Sequence, residues 1–260
     1  MSKLDPEIFI PFAEQLATIS GEIIRRYYRK FYDSEQKKDE TPVTAVDREV
    51  EKNLRALIRN TYPDHGIIGE EYDAVNPDAE YKWLLDPIDG TKSFMMGRPI
   101  FGTLVALVKA KTPLLGIIDQ PILGERWTGV KGFATNFNYE PTKTRKCPSL
   151  SDATLCTTSP DMFKGKDKTK FERLKKAVKL TAYGGDCYSY GLVARGLLDI
   201  VIEADLKPHD FCALIPVIEG SHGIITDWEG NKINLNSKGH VVACGDKKLH
   251  EQILELLNDN

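Results

Sequence analysis

The chain is 260 residues long, enough for one large domain or two closely joined halves. Its 41% hydrophobic and 28% charged residues, with 20 Gly and 14 Pro, match an ordinary globular protein and exclude collagen-like, disordered and disulfide-scaffold classes. Lys plus Arg number 35 against 38 Asp plus Glu; at a net charge of −3 no bulk pull toward nucleic acid or anionic lipid is expected, and an anionic substrate must be handled locally.

From Asp5-Pro6 onward, Ile8, Phe12, Leu16, Ile19, Ile23, Tyr27 and Phe31 recur at three- and four-residue intervals and predict a long amphipathic helix. Asp33–Thr41 is mostly charged and reads as an exposed loop, and a second helix follows from about Thr44 to Asn60. After Pro63, strand-like runs at Gly66–Gly69, Trp83–Leu85, Thr103–Val108, Leu114–Ile118 and Glu125–Gly129 suggest an antiparallel sheet. The polar stretch Asn136–Ser149 is the candidate boundary between halves, dividing the chain into 1–145 and 146–260. Beyond it the pattern predicts strands near Thr154 and Leu180 and at Leu198–Glu203 and Ile224–Thr226. Helices are predicted at Lys168–Lys176, Cys187–Arg195, Pro208–Glu219 and Asp246–Leu257.

Five cysteines (Cys147, Cys156, Cys187, Cys212, Cys244) lack CxxC spacing and read as reduced packing residues of a cytoplasmic protein. Lys3, Asp5 and Glu7 stand where a signal peptide's apolar stretch would begin, and no run approaches the ~18 apolar residues of a spanning helix, so no membrane association is expected.

Trp83-Leu84-Leu85-Asp86-Pro87-Ile88-Asp89-Gly90-Thr91 carries the chemistry. An apolar strand ends at Asp86, a Pro turn presents Asp89 three residues on, and Gly90 lets a ligand approach the backbone. Neighbouring carboxylates stay ionised only beside a cation, and their hard oxygens suit Mg²⁺. The N–H groups of Gly90 and Thr91, opening a short helix through Phe94, would face an anion. The plainer alternative is a turn with two capping aspartates. Asp47, Glu70, Glu71 and Asp210 add acidic signals, each with its own plain reading: a capping box begun by Thr44 for Asp47, a solvated loop for Glu71, and a helix first turn for Asp210.

The series Pro42-Val43-Thr44-x-x-Asp47, Gly69-Glu70-Glu71, Asp86-Pro87-Ile88-Asp89-Gly90-Thr91 and a late Asp210 resembles the inositol monophosphatase family of Mg²⁺-dependent, lithium-sensitive phosphatases, in order and spacing, over nearly the whole chain. The resemblance implies a mixed α/β fold, the layered α/β/α/β/α sugar-phosphatase architecture, with the metals between the halves. It implies two or three Mg²⁺ ions. Glu70, Asp86 and the Ile88 carbonyl look like ligands of the first, Asp86, Asp89 and Asp210 like those of the second, and Glu70 also like a ligand of a loosely held third. Thr91 supported by Asp47 is similar to the pair that activates the attacking water, and Gly90 and Thr91 match the phosphate-binding positions.

Lys92-Ser93-Phe94, Gly184-Gly185-Asp186-Cys187-Tyr188, Gly196-Leu197-Leu198-Asp199, and Glu203 followed by Leu206-Lys207-Pro208-His209-Asp210 resemble the histidinol-phosphate phosphatase branch more than the inositol branch. His209 departs from both, which usually place Tyr or Trp before the last metal-binding Asp. Asp186 and Glu203 would pair an ammonium or imidazolium group, although a polyol also bonds to carboxylates, and Asp186 can equally cap the helix after it. Lys37 and Lys38 read as a solvated charge run, and Cys187 and Cys212 as packing. The expectation is a cytoplasmic, homodimeric phosphomonoesterase acting on a small phosphate ester, histidinol phosphate first and inositol monophosphate second. It is set against an inactive metal- or phosphoinositide-binding regulatory protein and a purely structural protein.

Overall fold

The computed structural model describes residues 6–30 and 42–258. Phe31, the charged loop Asp33–Thr41 with Lys37 and Lys38, and the side chain of Thr44 lie outside the described residues. A 3₁₀ turn at Pro6–Phe9 leads into α1 (Ile10–Tyr27), followed by α2 (Pro42–Thr61). Next come β1 (Gly66–Gly69), β2 (Tyr81–Asp89), the short α3 (Thr91–Met95), β3 (Gly102–Lys109), β4 (Thr112–Gln120), β5 (Glu125–Val130), β6 (Asn136–Phe137) and β7 (Glu140–Pro141). The remainder is β8 (Thr154–Thr157), α4 (Gly165–Ala177), β9 (Leu180–Tyr183), α5 (Asp186–Ala194), β10 (Ile200–Glu203), α6 (Pro208–Phe211), α7 (Leu214–Gly220), β11 (Ile224–Thr226), β12 (Val241–Cys244) and α8 (Lys247–Asn258).

Among the described residues, β1 to β7 pair in sequence order and a second sheet runs β11-β12-β10-β8-β9. The first sheet is antiparallel except at β1 and β2, which are parallel, correcting the all-antiparallel expectation. The connection through Val75, which bridges back to Ile67, returns the chain to the end of the sheet from which β1 began. The polar stretch expected as a boundary opens with β6 and β7, hinged at Asn138 and Tyr139, both at positive φ.

Alternation along the strands sorts residues into layers. Trp83, Leu85, Val105 and Ile117 pack against Leu16 and Ile24 of α1 and Val50, Leu54 and Ile58 of α2. Leu84, Leu104 and Ile118, on the opposite face, meet Tyr190 and Val193 of α5, Val217 and Ile218 of α7, and Val201 and Val241 of the second sheet. Ile200, Ile202 and Val242 then point outward to Phe171 and Leu174 of α4 and Leu249 and Ile253 of α8. The architecture is α/β/α/β/α, with both faces of each sheet covered. In the middle layer, helix backbone presses directly on the sheet: a Cβ on Gly116 would lie 2.0 Å from the Ala213 carbonyl oxygen.

The run expected as one helix, Pro208–Glu219, is two, α6 and α7. Pro216 has no N–H to donate to Cys212, so the hydrogen-bond ladder is interrupted at Cys212 and Ala213, although both keep helical φ and ψ. Strand β12 had no predicted counterpart; its four-residue run Val241–Cys244 is too short to separate from a buried loop by periodicity.

Candidate active site

Strand β2 carries a bulge at its end. Asp86 faces Leu104 and Asp89 faces Gly102, so β2 spends one residue more than β3 over this interval. The Thr103 hydroxyl donates to the Pro87 carbonyl at 2.8 Å, and the Ser20 hydroxyl of α1 lies 2.6 Å from Thr103, pinning the bulge in the fully buried layer. Gly90 follows with φ of 95°, and α3 starts at Thr91, whose hydroxyl donates to the Ile88 carbonyl at 3.1 Å. The first N–H groups of α3 have no partner within the helix. A Cβ on Gly90 would lie 2.7 Å from Asp186 Oδ2, so the strand end and the start of α5 meet here.

Four segments bring carboxylates to this point. Glu70, after β1, and Asp210, in α6, each bring a carboxyl within hydrogen-bond reach of Asp86. Burial, followed by Asp89, Glu70, Asp210 and Asp47, holds Asp86 well above the usual carboxylate range. Burial, Asp186, Asp210 and Glu203 do the same to Asp89, although it accepts the Cys187 N–H at 2.5 Å. Glu70 is raised by burial against the pull of His209, and Asp210 by burial against His209 and the Lys207 N–H, which it accepts at 2.6 Å. The first-turn role expected of Asp210 is therefore present alongside its contact with Asp86.

Asp47 is not a cap. Because α2 begins at Pro42, Asp47 lies in the helix body at 2% exposure. Burial, then Glu71 and Glu70, push its carboxyl up to about 8. Thr91 gives its proton to Ile88, so the expected Thr91–Asp47 pair is not joined by that hydrogen bond. Oδ1 of Asp47 and Oδ1 of Asp86 are buried with no hydrogen-bond partner. Buried carboxylates that face one another with bare oxygens fit a hard divalent cation, which would remove the repulsion and fill the empty lone pairs. Among the described residues no three His, Cys, Asp or Glu side chains form a ready metal cage, so the fit rests on charge and on those two oxygens.

Asp186 and Glu203 border the cluster. Asp186 does not occupy the cap of α5, where Gly185 stands; its own φ is 43°, and its carboxyl lies within hydrogen-bond reach of the Thr158 side chain. Glu203, 3% exposed, accepts the Thr158 N–H at 3.2 Å, the Thr158 hydroxyl, and the Tyr190 hydroxyl at 3.0 Å. Burial raises its carboxyl to about 7 despite these donors. His209 Nε2 lies 3.2 Å from Asp210 Oδ1, facing the carboxylates. Cys187 and Cys212 are fully buried thiols raised by burial, which fits packing.

Two residues that sequence reasoning passed over hold the Glu70 loop. Glu51 in α2, fully buried, pairs with Arg55 at 2.6 Å and accepts the Glu71 N–H at 2.8 Å. Arg55 donates to the Asp73 and Tyr72 carbonyls at 3.0 and 2.8 Å. Glu71 is consequently half-buried, 3.4 Å from Arg48, rather than a solvated acid. The available signal was an acid and a base four apart on the apolar side of α2, beside Val50 and Leu54.

The model of the inositol monophosphatase family matches residues 5–260. The chain belongs to the inositol monophosphatase family. Within it, the chain is 46% identical to the bifunctional phosphatase IMPL2, chloroplastic, of Arabidopsis thaliana, across 99% of this chain and 77% of that protein. It is 31% identical to a histidinol-phosphatase of Chlorobaculum parvum, across 90% and 91%. A solved inositol monophosphatase from Zymomonas mobilis superposes with a TM-score of 0.92 at 44% identity, covering 99% of this chain and all of that one. The protein is thus a phosphatase of a metal-dependent family acting on small phosphate esters. No helix among the described residues is long and apolar enough to cross a membrane.

Proposed function

We propose that the protein hydrolyses a small alcohol phosphate carrying a cationic group, histidinol phosphate foremost, and so serves histidine biosynthesis. The observation that carries this reading is the pair Asp186 and Glu203, two carboxylates beyond the central cluster, Asp186 beside Gly90 and Glu203 next to Asp186. An ammonium or imidazolium group finds charge-assisted partners there. The histidinol-phosphatase of Chlorobaculum parvum supports the same branch. Inositol 1-phosphate is the second reading, favoured by the likeness to the Zymomonas mobilis inositol monophosphatase.

Glu70, Asp86, Asp89, Asp210 and the Ile88 carbonyl would hold two or three Mg²⁺ ions. Bound Mg²⁺ supplies charge neutralisation and acidifies water, the work of a two-metal phosphatase centre. Thr91 and Asp47 orient the attacking water, in line with the leaving alcohol. The N–H groups of Gly90 and Thr91 receive the phosphate, and Asp186 and Glu203 select the alcohol. The proposal also takes residues 1–145 and 146–260 as the two halves that together complete this site. A cytoplasmic location rests on the five free, buried cysteines. A homodimer and inhibition by millimolar Li⁺ are expected from the family; light scattering reading a monomer, or undiminished turnover in Li⁺, would remove them.

The test is phosphate release from histidinol phosphate and inositol 1-phosphate, with Mg²⁺ and with a chelator. A kcat/KM at least about tenfold higher for histidinol phosphate is expected. Preference for inositol 1-phosphate selects the second reading. Equal rates with and without Mg²⁺, or no release at all, overturn the metal-dependent proposal.

A further inference from the structure

Strands β8 and β10 are parallel neighbours in register Leu155–Ile200 and Cys156–Val201. Continuing that register by two residues sets Thr158 opposite Glu203 at the ends of both strands, beside the start of α5. Thr158 is the common neighbour of the two carboxylates proposed to select the alcohol. Its N–H and hydroxyl both go to Glu203 Oε1, and its side chain also lies within hydrogen-bond reach of Asp186. Tyr190 anchors the other Glu203 oxygen at 3.0 Å. A threonine hydroxyl has one proton to give. Given to Glu203, it leaves Asp186 with the Gly185 N–H as its backbone donor, and the two acids lie side by side. The nearby cations Lys92 and Arg98 are both exposed and act on Asp186 from the solvent side.

We infer that Thr158 is a positioning residue for substrate selection: its N–H and hydroxyl fix Glu203 beside Asp186 in the arrangement that accepts an alkylammonium group on the alcohol in preference to a hydroxyl. This rests on the reading of Asp186 and Glu203 given under the proposed function, but it needs only an amine, not an imidazole. Thr158 is not among the residues proposed to hold the metal, the water or the phosphate, so the chemical step should be left alone.

The experiment compares two ester pairs: histidinol phosphate with its deamino counterpart, and a simple 2-aminoalkyl phosphate with the matching alkyl phosphate. The variants are Thr158→Val, nearly isosteric without the hydroxyl, and Thr158→Ser, which restores it. For Thr158→Val, KM for the aminated esters should rise about tenfold, the worth of one charge-assisted bond, while kcat and both deamino KM values stay within about twofold. Thr158→Ser should restore the amine preference. Equal KM increases for aminated and deamino esters, a fall in kcat for all, or no change in any would overturn the inference. So would a wild-type enzyme without amine preference. A wild-type enzyme that ignores the imidazole yet prefers the 2-aminoalkyl phosphate, with the preference lost in Thr158→Val, sinks only the histidinol-phosphate reading.

Discussion

Asp199 and Asp86 are both buried acids, and the fold treats them in opposite ways. Burial alone would raise Asp199, but Arg145 at 2.6 and 2.7 Å and the Thr154 N–H and hydroxyl at 2.8 Å more than offset it, and its carboxyl lies below the usual range. Asp86 faces Asp89, Glu70, Asp210 and Asp47, is raised, and keeps one oxygen bare. The first acid is internally compensated and serves the packing of β8 against β10. The second is compensated only by something the chain does not contain, so it marks where function resides.

Replacing the two kinds of acid should separate them. Asp89→Asn is expected to lower Mg²⁺-dependent turnover by about a thousandfold, several kcal/mol of lost transition-state stabilisation, while raising the melting temperature of the chelator-treated protein by relieving repulsion. Asp199→Ala should do the reverse: turnover within about twofold, and stability lower by about 2 kcal/mol in denaturant titration, a figure reduced because the Arg145 side chain is 44% exposed. If both variants lost stability in chelator, the contrast would collapse.

The same contrast sets a pH dependence. In the unfolded chain carboxyls release protons near their ordinary value of about 4, whereas folded Glu203 retains its proton to about 7 and Asp47 to about 8. Between these limits the native state binds more protons than the unfolded one, so the metal-free protein should lose stability steadily as pH rises from about 4 to 8. Saturating Mg²⁺ should flatten the curve; a metal-free protein most stable at pH 8 would contradict the charge assignment. The smallest effect is expected at the Glu70 loop. Arg55→Lys keeps the charge beside Glu51 but loses the fork that binds the Tyr72 and Asp73 carbonyls, and should weaken Mg²⁺ affinity by calorimetry about threefold. Unchanged affinity would show that Glu70 is placed without this clamp.

The long periodic helices and the β2 motif were legible because each rests on local signals: three- and four-residue recurrence, or Pro and Gly at a strand end. The layering was foreseen only through the family resemblance, since nothing local says that Leu84 and Leu85 face different layers with different partners. Asp47 illustrates the other limit. A Thr three residues before an Asp reads as a capping box, but the helix starts two residues before that Thr, and Asp47 itself is buried. The Glu51–Arg55 spacing was a local signal, but what that pair holds, and what Thr158 holds, lies across loops or neighbouring strands, and only the tertiary pairing reveals it.

The middle layer has a further consequence. With Gly116 pressed against the backbone at Ala213, and α5 and α7 wedged between both sheets, the two halves share a middle core beyond the outer core that each builds alone. Severed at the junction, each piece would expose a broad greasy face. The intact chain should therefore denature as a single cooperative unit, and traffic of alcohol and phosphate must pass along the rim rather than through a hinge opening like a book.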